Sequence, residues 1–236
     1  MRKIKAKKKI TRKEIKKPDQ FITTTTKIYN YVKEHKKPII FGSAAILLVI
    51  ILIYGIFFIK EKRLITASSM LYKAELAMNS EIEGSEYSEE TAKILKEVME
   101  RYSGNVYGNR ARYMLARYMI KHNRYEPAEE LLMFFKDNPE KVDVYLLSSA
   151  LETLGWLLER KGDYLSAGNI YVMITELEPN PLGVKPYEDA GRCFEKIGRF
   201  EEAIRIYNEA IAKYSRTSRT IPIVGRLKKI YLSLQK

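Results

Sequence analysis

The sequence is poor in the residues that build disulfide, metal and redox sites. Its single cysteine, Cys193, excludes an intrachain disulfide, and two histidines, His35 and His122, leave too few ligands for a Cys/His zinc site. Only 12 Gly and 8 Pro occur in 236 residues, which excludes collagen-like and linker-dominated chains. No P-loop, G-x-G-x-x-G, G-x-S-x-G or H-E-x-x-H pattern is present. His35 falls in the tail and His122 in a turn, neither with an obvious catalytic carboxylate or cysteine partner by sequence. Cys193 reads as a small packing residue inside a helix. The acidic pairs Glu129-Glu130 and Glu201-Glu202 stand at predicted helix starts, where the helix dipole favours acids. The expectation is a non-enzyme: no catalytic residue, no metal, no cofactor and no small-molecule substrate.

Acid is scarce at one end. Residues 1–37 carry 14 Lys/Arg and 3 acids, whereas residues 38–236 carry 28 bases and 26 acids, so the net charge of +13 describes a tail. A basic arm of this kind suits nucleic acid or an anionic membrane. The uncharged run 38–59, PIIFGSAAILLVIILIYGIFFI, favours the membrane: at 1.5 Å per residue it is about as long as a bilayer's hydrocarbon core is thick. No polar stripe marks it as a soluble core helix. Tyr54 and the flanking Lys36, Lys37, Lys60, Lys62 and Arg63 suit interfacial anchoring. The run is longer than a cleaved signal's apolar region and is followed by charge, so it reads as an uncleaved signal anchor. Gly42-Ser43-Ala44-Ala45 offers a weak helix-contact signal.

The lysine and arginine counts close to the run tie. The ten further bases in residues 1–17 break the tie toward a cytoplasmic N-terminus and an extracytoplasmic C-terminal domain. Within the tail, Asp19 is a candidate cap for a helix to about Glu34. Phe21, Ile22, Ile28, Tyr29 and Val32 lie near one face of that helix, and Lys27, Lys33 and Lys36 lie toward lipid headgroups. A solvated retention signal is the other reading. The β-branched run Thr23-Thr24-Thr25-Thr26 disfavours the helix.

Residues 60–236 repeat themselves. Arg124-Tyr125-Glu126-Pro127-Ala128, Asp163-Tyr164-Leu165-Ser166-Ala167 and Arg199-Phe200-Glu201-Glu202-Ala203 align on their alanines. Twelve residues before each alanine stands Ala116, Gly155 or Gly191; four after it stands Leu132, Tyr171 or Tyr207. Small residues at a crossing let two antiparallel helices approach, and large side chains fill the space beside them. Ala116, Ala128, Gly155, Ala167, Tyr171, Gly191, Ala203 and Tyr207 are therefore the predicted repeat-packing residues. Asn123, Gly162 and Gly198 suit the turn inside each pair. Pro127 falls in a helix first turn, and Pro139 and Pro179 close their units.

These spacings resemble a tetratricopeptide repeat (TPR). Leu154-Gly155-x-x-Leu158-x-x-x-Gly162-x-Tyr164-x-x-Ala167-x-x-x-Tyr171-x-x-Ile174-x-x-x-x-Pro179 carries the likeness, and Gly191, Phe194, Gly198, Phe200, Ala203, Tyr207 and Ala210 repeat it, with Ser215 in the proline's place. Ala116, Met119, Tyr125 and Ala128 match more loosely. The expected units are 109–142, 148–181 and 184–217. A degenerate pair within 62–102, helices 62–79 and 89–102, is joined by the acidic loop 80–88. A capping helix at 219–234 would hide the last apolar face. The expected fold class is thus all-α: residues 1–37 a basic cytoplasmic tail, 38–59 a transmembrane helix, and 60–236 a TPR-like α-solenoid of three to four helix pairs.

The whole arrangement, with Arg101-Tyr102-Ser103-Gly104-x-x-Tyr107 leading into residues 111–118, resembles the YfgM-like family of bacterial inner-membrane proteins, ancillary subunits of the SecYEG translocon. That resemblance implies a periplasmic TPR domain whose partners are the translocon, chaperones or client peptides, with lipid met through 38–59 and the tail.

In a TPR array the first helix of each pair lines the groove. That places Arg110, Tyr113, Arg117 and Lys121, then Glu152, Trp156, Glu159 and Arg160, then Lys185, Glu188, Arg192 and Lys196 on it. Arg117, Trp156 and Arg192 are equivalent. Arg and Trp are favoured anchors, so an acidic or C-terminal peptide is one candidate ligand; a solvated basic face with Trp156 partly buried is the other reading. The Lys/Asn carboxylate clamp of chaperone-binding TPR proteins is not reproduced. The function expected is a membrane-anchored protein-binding scaffold aiding protein translocation or periplasmic folding and quality control. The alternatives are a cytosol-facing TPR receptor and, behind it, a nucleic-acid-binding tail.

Overall fold

A computed structural model of the chain describes residues 20–80, 88–215 and 217–234. The tail before residue 20, including Asp19, and the acidic connection 81–87 lie outside the described residues. Those described form ten α-helices and two short 3₁₀ turns with no strand among them, so the all-α expectation holds. They divide into two units, residues 1–62 and 63–236.

The first unit contains α1 (Gln20–Glu34) and the opening of α2 (Lys36–Ser80). Helix α1 runs through Thr25 and Thr26, so the threonine run does not break it; propensity is a weak prior. Helix α2 begins two residues before Pro38, where the missing N–H costs no intrahelical bond, and no later proline interrupts its 45 residues. It is one helix from the apolar run into the degenerate pair expected at 62–102, so the boundary expected near residue 60 is not a break in secondary structure. From Ile46 to Ile59 its large apolar side chains are half or more exposed. By length and composition this helix is sufficient to cross a membrane, and none of its apolar window is buried within the chain.

The second unit takes up the end of α2. There Ala67, Leu71 and Ala74 recur at helical spacing on one face and are buried. Helices α3 (Glu89–Arg101), α4 (Val106–Lys121), α5 (Tyr125–Asp137), α6 (Val144–Arg160), α7 (Tyr164–Thr175), α8 (Lys185–Lys196), α9 (Phe200–Tyr214) and α10 (Ile221–Leu234) follow. Sequence-local chemistry starts several of them. Ser88, Asn105, Asp143 and Asp163 each accept a backbone N–H from the first turn of α3, α4, α6 and α7. The turn inside each pair is left-handed at Asn123 (φ 59°), Gly162 (φ 82°) and Gly198 (φ 76°), which ends the first helix and lets the second fold back.

The helices pack in chain order as a TPR-like solenoid around two adjoining cores. One joins the end of α2 to α3 and α4 through Leu95, Val98, Leu115 and Tyr118. There the Ser88 N–H donates to the Tyr118 hydroxyl at 2.8 Å. The other runs from α4 to α10.

The crossings inside the pairs explain the small residues. A methyl group placed on Gly155 would stand 2.7 Å from the Tyr171 ring, and one on Gly191 would stand 2.2 Å from the Tyr207 ring. In the first pair Ala116 and Leu132, both fully buried, take those places: a methyl is added on one helix and a ring lost from the other. Ala128, Ala167 and Ala203 are likewise fully buried.

Helix α10 covers α9 with Ile223, Leu227 and Ile230. This is the helix expected at 219–234, and its outer side leaves Ile221, Val224, Tyr231 and Leu232 exposed.

Candidate protein-binding groove

The first helices of successive pairs, α4, α6 and α8, lie side by side with the end of α2 before them and α10 after them. They divide the groove face into two stretches of different chemistry.

Between α6, α8 and α10 the face is crossed by ion pairs. Lys185 of α8 reaches Glu152 of α6 at 2.5 Å and Asp189 at 2.9 Å. Arg192 of α8 pairs with Glu159 of α6 through both terminal nitrogens, the second at 3.0 Å, and with Asp189 at 2.8 Å. The hydrogen bond to Glu159 holds the Arg192 guanidinium above its already high ordinary value, so it stays charged. Glu159 also accepts from the Tyr171 hydroxyl at 2.8 Å. One unit later the same relay recurs: the Tyr207 hydroxyl donates to Glu195, and Glu195 meets Arg226 of α10 at 3.5 Å. Glycine, tyrosine, glutamate and arginine thus form a repeated unit that couples a crossing within one pair to the next pair. Burial, and then the neighbouring carboxylate, push both tyrosine hydroxyls well above the ordinary tyrosine value.

Between α2, α4 and α6 the face is open. A cavity of about 400 Å³ is lined by Met78, Met114, Val106 and Leu146 on its apolar side and by Arg110, Tyr113 and Arg117 on its polar side. Glu75 faces Arg110 across 3.9 Å, a long pair between half-exposed groups that contributes little. Asp143, at the rim, is occupied in capping α6, where it accepts from the Leu146 N–H at 3.0 Å. The Arg117 guanidinium lies 5.8 Å from the Tyr113 ring and pairs with no acid among the described residues. Tyr113 bridges to α6 through Thr153 at 3.3 Å. Methionines on two walls give the cavity an adaptable lining.

The predicted groove residues therefore separate. Arg110, Tyr113 and Arg117 converge on the open cavity. Trp156, 40% exposed, and Arg192 line a smaller cavity of about 270 Å³ between α6 and α8, where Arg192 is already neutralised. Arg160 stacks over Trp156 at 5.1 Å and over Tyr125 at 4.9 Å, beside that cavity and outside its lining. Lys121 donates to the Met78 carbonyl at 3.0 Å at the end of α2. Lys196 is exposed and lines neither cavity.

Sequence reasoning missed Met78, Glu75 and Asn79, because the α2 end was read only as a degenerate helix and its groove positions were not assigned. It also missed that Glu159 and Asp189 cancel Arg192. The recurrence of Glu four residues after the crossing glycine, at 159 and 195, was the available signal. Among the described residues no three of His, Cys, Asp and Glu gather as a metal site. His35 stacks on Tyr31, and His122 meets the Tyr118 ring edge-on.

The tetratricopeptide repeat family matches residues 189–217, which cover most of α8 and all of α9. No curated protein matches the chain. Among solved structures, a MamA crystal structure is 18% identical, covering 65% of this chain and 75% of its own at a TM-score of 0.49. A second MamA structure, from AMB-1, is 16% identical over 74% and 83%, also at 0.49. TPR-like repeats of a kinesin light chain from Podosopora anserina are 14% identical over 71% and 91%, at 0.47.

Proposed function

We propose that this chain is a single-pass membrane protein whose TPR-like domain holds a protein partner in the open stretch of its groove. The work it supports is protein translocation or folding and quality control at the bacterial inner membrane. The observation that carries the binding reading is the 400 Å³ cavity between α2, α4 and α6, whose lining combines two arginines and Tyr113 with two methionines. A partner segment with an apolar anchor and a nearby carboxylate matches that lining, since Arg117 pairs with no acid among the described residues. Across α6 and α8, by contrast, Lys185 and Arg192 are already held by Glu152, Glu159 and Asp189.

The membrane reading rests on the exposed apolar helix and the tail. Twenty-two uncharged residues follow an arm of 14 bases, and the apolar window of α2 has no cover within the chain. Basic residues retained on the cytoplasmic side place the N-terminus there and the repeat domain in the periplasm. The tail then lies against anionic lipid, with no nucleic acid involved.

A photocrosslinker at position 106, an exposed residue of the cavity lining, tests the groove in intact cells. Adducts with a discrete partner that disappear with Tyr113→Ala support the reading, and the same adducts from a crosslinker at an exposed position of α3 overturn it. Alkaline phosphatase fused to the C-terminus tests the orientation. Activity supports a periplasmic domain; an inactive but intact fusion makes the cytosol-facing receptor the correct reading.

A further inference from the structure

The last helix carries a second surface, separate from the groove and independent of its ligand. The pairing of Arg226 with Glu195 repeats that of Arg192 with Glu159, so α10 stands to α8 as α8 stands to α6. That register sets Gly225 in the place of Gly191 and Gly155. In those pairs a tyrosine ring packs directly on the glycine. At Gly225 the same space is empty: an added methyl would meet nothing within 4 Å. The surrounding positions agree. Ile221 corresponds to Tyr187 and Leu151, and Val224 to Ala190 and Leu154. The four earlier residues are essentially fully buried, whereas Ile221 is 68% and Val224 51% exposed. Helix α10 is built as the first helix of a pair whose second helix is not among the described residues.

Its charges say what that helix carries. Where Glu159 and Glu195 accept a tyrosine hydroxyl from the second helix, α10 has Lys229; where Phe194 and Leu158 are buried, it has exposed Lys228. Helix α10 holds three bases and no acid. We propose that α10 docks an acidic amphipathic helix of a partner protein, which completes the pair by setting a large apolar side chain on Gly225 and carboxylates on Lys228 and Lys229. A second copy of this chain fits poorly: its α10 would bring more lysine, and the apolar faces of α3 to α9 are already buried in the two cores.

The test uses the full chain in nanodiscs of neutral phosphatidylcholine, read by fluorescence anisotropy. The probes are two stapled, labelled peptides of residues 200–214, the second helix that covers Gly191. One is made acidic with Arg205→Glu and Lys213→Glu, the other basic with Glu201→Lys, Glu202→Lys and Glu209→Lys. The acidic peptide is expected to bind about tenfold or more tighter than the basic one. Gly225→Leu fills the empty space and is expected to weaken the acidic peptide about tenfold, while the melting temperature holds or rises. Lys228→Glu with Lys229→Glu is expected to reverse the preference. Equal binding of both peptides, or binding indifferent to Gly225→Leu, overturns the proposal. So does a dimer in sedimentation that Gly225→Leu dissolves, which gives the face to a second copy, or anionic phosphatidylglycerol vesicles that bind through it in place of the peptide.

Discussion

Arg117 and Arg192 hold the same place in their repeats and meet opposite surroundings. Arg192 lies between two carboxylates, one of which also holds Tyr171; Arg117 has a ring beside it and, among the described residues, no acid. The difference begins at the helix crossings. In the pairs α6/α7 and α8/α9 a glycine admits a tyrosine ring, and the hydroxyl of that ring needs a buried acceptor, which is Glu159 or Glu195. Each glutamate in turn takes an arginine from the next first helix. In the pair α4/α5 the corresponding residues are Ala116, Leu132 and Ile120, so no hydroxyl asks for an acid and no acid claims an arginine. One region spends its polar groups on joining repeats; the other leaves them facing an open cavity.

Alkali is expected to separate the two regions most. Burial, and then the nearby Glu159, push the Cys193 thiol from 9.0 up to about 12, and the Tyr171 and Tyr207 hydroxyls are raised too. The unfolded thiol loses its proton from about pH 9 while the folded one keeps it. The stability present below pH 9 is therefore lost between pH 9 and 12, by up to about 4 kcal/mol at the top of that range. Urea midpoints measured across that range check the sign, and Cys193→Ala is expected to flatten the fall. A curve with the same slope after that substitution rules out the thiol's part.

Breaking the arginine contacts comes next. Arg192→Ala leaves Glu159 and Asp189 half-buried without their cation and is expected to cost about 2–3 kcal/mol, because hydrogen bonds to charged groups are the stronger ones. Arg117→Ala is expected to stay within about 0.5 kcal/mol while abolishing groove crosslinks. Equal losses for the two would erase the comparison. Gly191→Ala forces a methyl into the buried Tyr207 ring and is expected to cost about 2 kcal/mol in denaturation, although alanine is the better helix former. The smallest effect is expected at the long surface pair: a double-mutant cycle of Glu75→Gln and Arg110→Gln should give a coupling of about 0.5 kcal/mol or less.

Much of the repeat domain was legible in the chain. The helices predicted at 62–79 and 89–102 correspond to the end of α2 and to α3, the turns fall on Asn123, Gly162 and Gly198, and the crossing residues are buried. Spacing reads these well because small residues, turn formers and caps act within one or two helical turns. The groove was only half legible. A period places Arg192 on the predicted groove face, but whether its charge is available depends on Glu159, 33 residues away in sequence and adjacent only after packing. The wall supplied by Met78 and Glu75 depends on how the end of α2 meets α4, which no local pattern encodes.

By itself, then, the sequence determined the class: an all-helical repeat chain behind an apolar helix and a basic tail, because periodicity, turn chemistry and charge runs are local properties that folding preserves. Only the tertiary structure decided which stretch of groove is open and which is crossed by ion pairs, and that no ring among the described residues covers Gly225. Those outcomes turn on side chains from different helices meeting within a few ångströms, where a neighbouring carboxylate cancels an arginine and an absent ring leaves a space.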